Sequence, residues 1–202
     1  MTRWIRVEGL LRKWYAAPLG PADAGDPREL EQTLPLALQE WWRLAGGRLL
    51  EPFLRDGLTP GVTVHLSEGG YDRAWVRLRD LKQEDPPVYG WDEEEEELRV
   101  APSFSEWVLF QALSGAVRPT GEDDEDLAFG PRGDWVRWRS RVSRRAVAKL
   151  QATLARLPLE PRDGWEFWGD ADTIVAVAAP DTVRAATRTP LAWDRLDALL
   201  RP

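Results

Sequence analysis

The sequence contains no cysteine and a single histidine, and only Lys13, Lys82 and Lys149 among its 27 basic residues are lysines. Without cysteine there is no disulfide framework, no thiolate zinc site and no cysteine nucleophile. With one histidine, any nucleophile–base pair has to be built around His65 alone. His65 sits in an alternating stretch opposite Val64 and Leu66, facing solvent or a flanking helix, and is read as non-catalytic. The arginine bias reads as high-GC bacterial coding rather than chemistry. No apolar run approaches the roughly 20 residues that cross a bilayer. Charges at Arg3, Arg6, Glu8, Arg12 and Lys13 interrupt any signal-peptide core, so a cytoplasmic protein without membrane contact is expected.

What is present favours a folded chain. Its 202 residues suffice for one sizeable core, and the expectation is a single globular unit over 1–202. Hydrophobic residues make up 43% and there are twelve tryptophans, enough apolar surface to offset the entropy of ordering the backbone.

The net charge of −7 is unevenly distributed. Acids dominate Glu84 to Glu97, which includes the unbroken run Asp92 to Glu97, and Glu122 to Asp126. Bases dominate Arg132 to Lys149, and the rest of the chain is balanced.

Periodicity gives the elements. Trp4, Val7, Leu11 and Trp14 predict a helix over 2–15, and Asp26-Pro27 is a candidate start for a short helix over Arg28 to Gln32. Leu38, Trp41, Trp42 and Ala45 line one face of a further helix, with Gly46-Gly47 as its stop. VTVHL and YDRAWVRL alternate as paired strands around the turn residues SEGG. Pro86-Pro87 cannot continue a central ladder, so PVYGW is expected as an edge strand and ELRVA, after the acids, as its return. Ser103 and Glu106 form a capping box for a helix carrying Phe104, Trp107, Val108 and Leu113, with Ser105 also read as part of the cap. Beyond 117, DWVRWRSRV reads as a strand. Val147, Leu150, Leu154 and Leu157 then predict a helix ended by Pro158. WEFWG, TIVAVAA and TVRAATRT read as strands, and Thr189-Pro190 opens a last helix through Trp193, Leu196 and Leu200.

In order and spacing, the helix ending in WWRLAGG, the strands carrying SEGGYDRAW, then EDPPVYG and PSFSEWVLFQAL, resemble the SUKH superfamily over 34–117. Members often carry Glu-Asn-Gln where this chain has Glu68, Gly69 and Gly70; Glu68 and Trp75 are kept. The resemblance implies an α+β fold, a twisted, mainly antiparallel sheet flanked by helices, to which 118–202 adds a C-terminal αβ extension packed on the same unit. It implies a non-catalytic binding protein with no cofactor. Most often in bacteria this is an immunity protein that neutralises a cognate polymorphic toxin, frequently a nuclease or deaminase, by occluding its active site. Other members are regulatory scaffolds, and an endogenous basic protein is the alternative partner.

The acid run has three readings. It is a solvated turn that keeps an edge strand from pairing, a steering surface for a basic partner, or a cation site. The spacing lacks the alternating pattern of a calcium loop, and a six-acid turn cannot converge all its oxygens on one ion. Tyr89 and Trp91, flanking Gly90 on one face of the strand, are the expected apolar centre of a partner-binding surface. Its rim is Asp92, Glu93, Glu94, Glu95, Glu96 and Glu97. Trp41, Trp75 and Trp107 are read as core, while Trp42, Trp91, Trp135 and Trp165 are less obviously placed. WVRWRSRVSRR has the composition of a single-strand-binding surface. With a pI near 4.9 and acidic loops competing for the arginines, it is read instead as an amphipathic strand and helix, without nucleic-acid binding.

Overall fold

The computed structural model describes residues 2–15, 34–45, 53–54, 61–64, 74–91, 96–117, 136–162, 164–178 and 181–201. The expected helix Arg28–Gln32, the Gly46-Gly47 stop, the SEGG turn, His65, Asp92 to Glu95, Glu122 to Asp126 and Trp135 lie outside these residues. So do the side chains of Trp42 and of 136–140.

A 3-10 turn at Thr2–Trp4 leads into α1 (Ile5–Trp14), which buries Val7, Leu11 and Trp14 on one stripe, as their spacing requires. The stripe meets α3, and the Tyr15 hydroxyl donates to the Ala112 carbonyl there. Helix α2 (Leu36–Ala45) turns Ala37, Leu38, Trp41 and Ala45 inward, and Trp41 lies 5.1 Å from the ring of Trp4. The Trp4 indole N–H donates to Glu40 Oε2 at 2.9 Å, and Arg3 pairs with the same oxygen at 3.1 Å, tying the first turn to α2.

Helix α3 (Phe104–Ala116) is apolar almost all round, burying Phe104, Trp107, Val108, Phe110, Ala112, Leu113 and Ala116. Such a helix has to be covered on several sides, and it is. Ser103 caps it by accepting from the Glu106 N–H at 3.2 Å. Asp85 holds the same turn, accepting from the Ser105 N–H at 3.0 Å and from the Ser105 hydroxyl at 2.5 Å.

The strands form two antiparallel sheets, each ending on a two-residue strand. The first has the order β1 (Phe53–Leu54), β2 (Gly61–Val64), β3 (Ala74–Arg77), β4 (Val88–Trp91), β5 (Glu97–Ala101). The second runs from β6 (Val136–Arg141) through β10 (Thr182–Thr187), β9 (Thr173–Ala178) and β8 (Trp165–Gly169) to β7 (Ala155–Arg156). An α+β architecture is therefore present, with two sheets among the described residues, the second built from the segment after 117.

One apolar cluster joins Ala74, Val76, Val88 and Ala101 of the first sheet, helices α1 to α3, and Phe167, Ile174, Ala176 and Ala186 of the second. Phe110 meets Phe167 edge-on at 5.8 Å, so α3 lies between the sheets. The opposite face of the second sheet, with Trp168, Val175, Val177, Val183 and Ala185, packs on Val147 and Leu150 of α4 (Arg144–Thr153) and Leu196 of α5 (Pro190–Leu200). Thr189 caps α5, accepting from the Ala192 N–H at 3.1 Å, with Pro190 inside the start.

Two boundaries differ from the sequence expectation. Helix α4 stops at Thr153, not at Pro158, because Leu154 is extended and Ala155 and Arg156 pair with Gly169 and Trp168. The Leu157 N–H then donates to the Phe167 carbonyl at 2.8 Å, so the sheet takes the backbone that periodicity assigns to the helix. Strand β4 is also not an edge strand: it pairs with β3 through Trp75 and Tyr89 and with β5 on its other side. It starts at Val88, after both prolines, so the ladder asks no N–H of them.

Candidate protein-binding face

Alternation along β3, β4 and β5 sends Ala74, Val76 and Val88 to the helices and Trp75, Arg77, Tyr89, Trp91, Glu97 and Arg99 to the opposite face. Register then sets the neighbours. Trp75 is opposite Tyr89, Tyr89 opposite Arg99, and Trp91 opposite Glu97.

The two tryptophans share a tilted contact, with ring centroids 4.8 Å apart and planes at 47°. Trp75 is 4% exposed and Trp91 46%, so the inner ring is fixed and serves as a floor for the outer one. Tyr89 is 8% exposed, and its cover includes a side chain of this chain itself. Arg77 places its guanidinium carbon 3.7 Å from the Tyr89 ring centroid and continues to a hydrogen-bonded ion pair with Glu97. The side chain thus spans β4 from β3 to β5. The hydrogen bond that Arg77 donates to Glu97 raises the Arg77 pKa, opposed by desolvation. Burial, followed by the charge of Asp80, raises the pKa of the Tyr89 hydroxyl. Asp80 is itself buried in the 3-10 turn after β3, and its Oδ1 accepts from Gln83 Nε2 at 2.9 Å. Arg99 turns along its own strand, donating to the carbonyls of Ala101 at 3.3 Å and Pro102 at 2.8 Å.

The sequence-predicted pair Tyr89 and Trp91 therefore share a face but not an exposure: Trp91 is open and Tyr89 is strapped down. Glu97 is drawn into the ladder and the Arg77 ion pair, Glu96 is exposed, and Asp92, Glu93, Glu94 and Glu95 lie outside the described residues. The pairing of Trp91 with Glu97 makes the intervening acids the connection of a hairpin. Arg77 and Asp80 escaped the sequence reading. The alternation of Trp75 and Arg77 put Arg77 on this face, but the long connection between β3 and β4 concealed the register that sets it over Tyr89.

The chain matches no protein-family model, no curated protein and no solved structure. Among the described residues, no three His, Cys, Asp or Glu side chains are grouped to hold a metal ion, and no helix is long and apolar enough to cross a membrane. The arginine-rich WVRWRSRV stretch supplies β6, the terminal strand of the second sheet, whose register with β10 is complete from Val136 to Arg141.

What the face offers is an aromatic ring held from behind, bordered by carboxylate on the neighbouring strand. A ring with one buried face and one open face presents apolar area at little entropic cost. A carboxylate beside it suits a cationic or hydrogen-bond-donating group better than an anion.

Proposed function

We propose that this chain is a non-catalytic protein-binding domain of the SUKH type, an immunity protein that neutralises a cognate toxin by covering its active site. In this reading the outer face of the first sheet meets the toxin, with Trp91 as the anchor and the acids of the β4–β5 hairpin as its rim. The reading rests on the sequence resemblance over 34–117 and on one geometric observation. Trp91, the exposed aromatic of this face, is seated on the buried Trp75 directly beside Glu97.

The division of labour follows from physics. The acids attract a basic partner, such as a nuclease or a deaminase that works on nucleic acid, and raise the rate of encounter in a salt-dependent way. The aromatic anchor, once desolvated, slows departure. Replacing Glu93 to Glu97 by glutamine should reduce the association rate and flatten its dependence on ionic strength; unchanged kinetics would leave the acids only a solubilising role.

Immunity is separated from a regulatory role toward an endogenous basic protein by co-expression. Cells carrying the toxin encoded beside this gene should survive when this chain is present and die without it. A gene with no toxin neighbour, whose deletion leaves fitness unchanged, supports the regulatory role instead.

A further inference from the structure

Strand β5 is the last strand of the first sheet: β4 occupies one of its edges and no described strand occupies the other. An edge of this kind presents backbone N–H and C=O groups to any strand that fits. Charge at the edge usually prevents such pairing, so the order of the charges matters. Here an acid, Glu97, and a base, Arg99, flank Leu98, an apolar side chain that is 38% exposed.

That order is self-complementary about Leu98. Two copies laid antiparallel with Leu98 against the partner's Leu98 place Glu97 opposite the partner's Arg99 and Arg99 opposite the partner's Glu97. Opposite charges in directly facing positions stabilise a strand pair, and like charges destabilise it. A parallel in-register pairing sets Glu97 against its own copy and is disfavoured. The antiparallel arrangement is a closed two-fold, in which the same patch serves both subunits. With Leu98 central, Glu96, the described acid just before β5, faces the partner's Val100 and lies four residues from its own counterpart, about 14 Å at about 3.4 Å per residue.

Neither charge is lost to its present contacts. Glu97 keeps acceptor sites beyond those used by Arg77, and Arg99 keeps donors beyond those used by the Ala101 and Pro102 carbonyls. Leu98 lies on the side opposite Trp91 and Glu97, so the edge supplies an apolar contact on one face and ion pairs on the other.

We infer that two copies of this chain associate through β5, antiparallel about Leu98, joining their first sheets into one. A short strand pair falls below the roughly 1,000 Å² that characterises stable interfaces, so the dimer is weak and depends on concentration. This inference is independent of the immunity reading and is tested on the chain alone.

The experiment is sedimentation velocity on the full chain from about 10 μM to 1 mM, the range in which weak association of this kind is expected to appear. The wild type should pass from monomer toward dimer. Arg99→Glu sets Glu97 against glutamate and should weaken association at least about tenfold; Glu97→Arg should do the same by setting arginine against Arg99. Mixing the two variants restores both opposite-charge contacts and should bring back a heterodimer that neither forms alone. A wild type that stays monomeric across the range, an Arg99→Glu variant that associates like the wild type, or a mixture that stays monomeric overturns the proposal.

Discussion

Arg77 lies across Tyr89, its guanidinium carbon 3.7 Å from the ring centroid, and ends on Glu97 two strands away from its own. The contact converts a tyrosine that alternation alone would leave facing outward into a buried one. Trp91, one residue past Gly90, stays open on the same face.

The strap should carry measurable but modest stability, because both charged side chains keep about a quarter of their surface in water, at 26% each. A cation–ring contact and a partly exposed ion pair together contribute roughly 1 kcal/mol. Arg77→Met is expected to lower the unfolding free energy by about that amount in urea titrations. A double-mutant cycle with Tyr89→Leu should return a coupling of about 0.5–1 kcal/mol, and coupling near zero would mean that the stacking contributes nothing.

Alkaline pH tests the burial of the Tyr89 hydroxyl. Its folded pKa lies above the ordinary value of 10.0, first through desolvation and then through the charge of Asp80. The unfolded chain therefore releases this proton at a lower pH than the folded one. The associated stability is present below pH 10 and is lost as pH rises toward the folded pKa. Thermal unfolding followed from pH 8.5 upward should show a steeper fall for the wild type than for Tyr89→Phe, which has no proton to lose. Parallel curves for the two proteins would place the hydroxyl in water.

Two glycines of the fold should respond to alanine with opposite signs. Gly9 sits on the exposed side of α1, and a Cβ added there would meet nothing within 4 Å, so Gly9→Ala gains helix propensity and should stabilise by about 0.5–1 kcal/mol. At Gly169, where β8 turns into β9, an added Cβ would come within 2.5 Å of the Thr173 carbonyl oxygen. That oxygen is held by the Asp170 N–H at 3.0 Å, so it is poorly free to yield, and Gly169→Ala should destabilise by roughly 1–3 kcal/mol. Melting temperatures of the two variants, measured side by side, check both signs.

Most elements were legible because their signals are local. The stripe Trp4, Val7, Leu11, Trp14 could only be one face of a helix, and Ser103 and Thr189 cap their helices as the sequence indicates. WEFWG, TIVAVA and TVRAAT read as strands, and all three are strands. What escaped was non-local. That β7 would claim the end of α4 depends on pairing with Gly169 and Trp168, distant in sequence. That the strands after 135 form a second sheet around α3 depends on which faces find each other. At the candidate site, Tyr89 and Trp91 were correctly placed on one face, but their unequal exposure follows from Arg77, whose position over Tyr89 is set by a register that no local pattern encodes.

The central claim, that Trp91 anchors a toxin on the outer face of the first sheet, is tested most directly by the dissociation rate of the complex with the toxin domain encoded beside this gene. Surface plasmon resonance on wild type, Trp91→Ala and Tyr89→Ala provides the comparison. A central aromatic anchor is worth about 2 kcal/mol or more, so Trp91→Ala should speed dissociation roughly 30-fold while changing association by less than about threefold. Tyr89→Ala, which removes a ring already covered by Arg77, should have the smaller effect. A Trp91→Ala complex that dissociates at the wild-type rate would contradict the claim and remove this face from the interface.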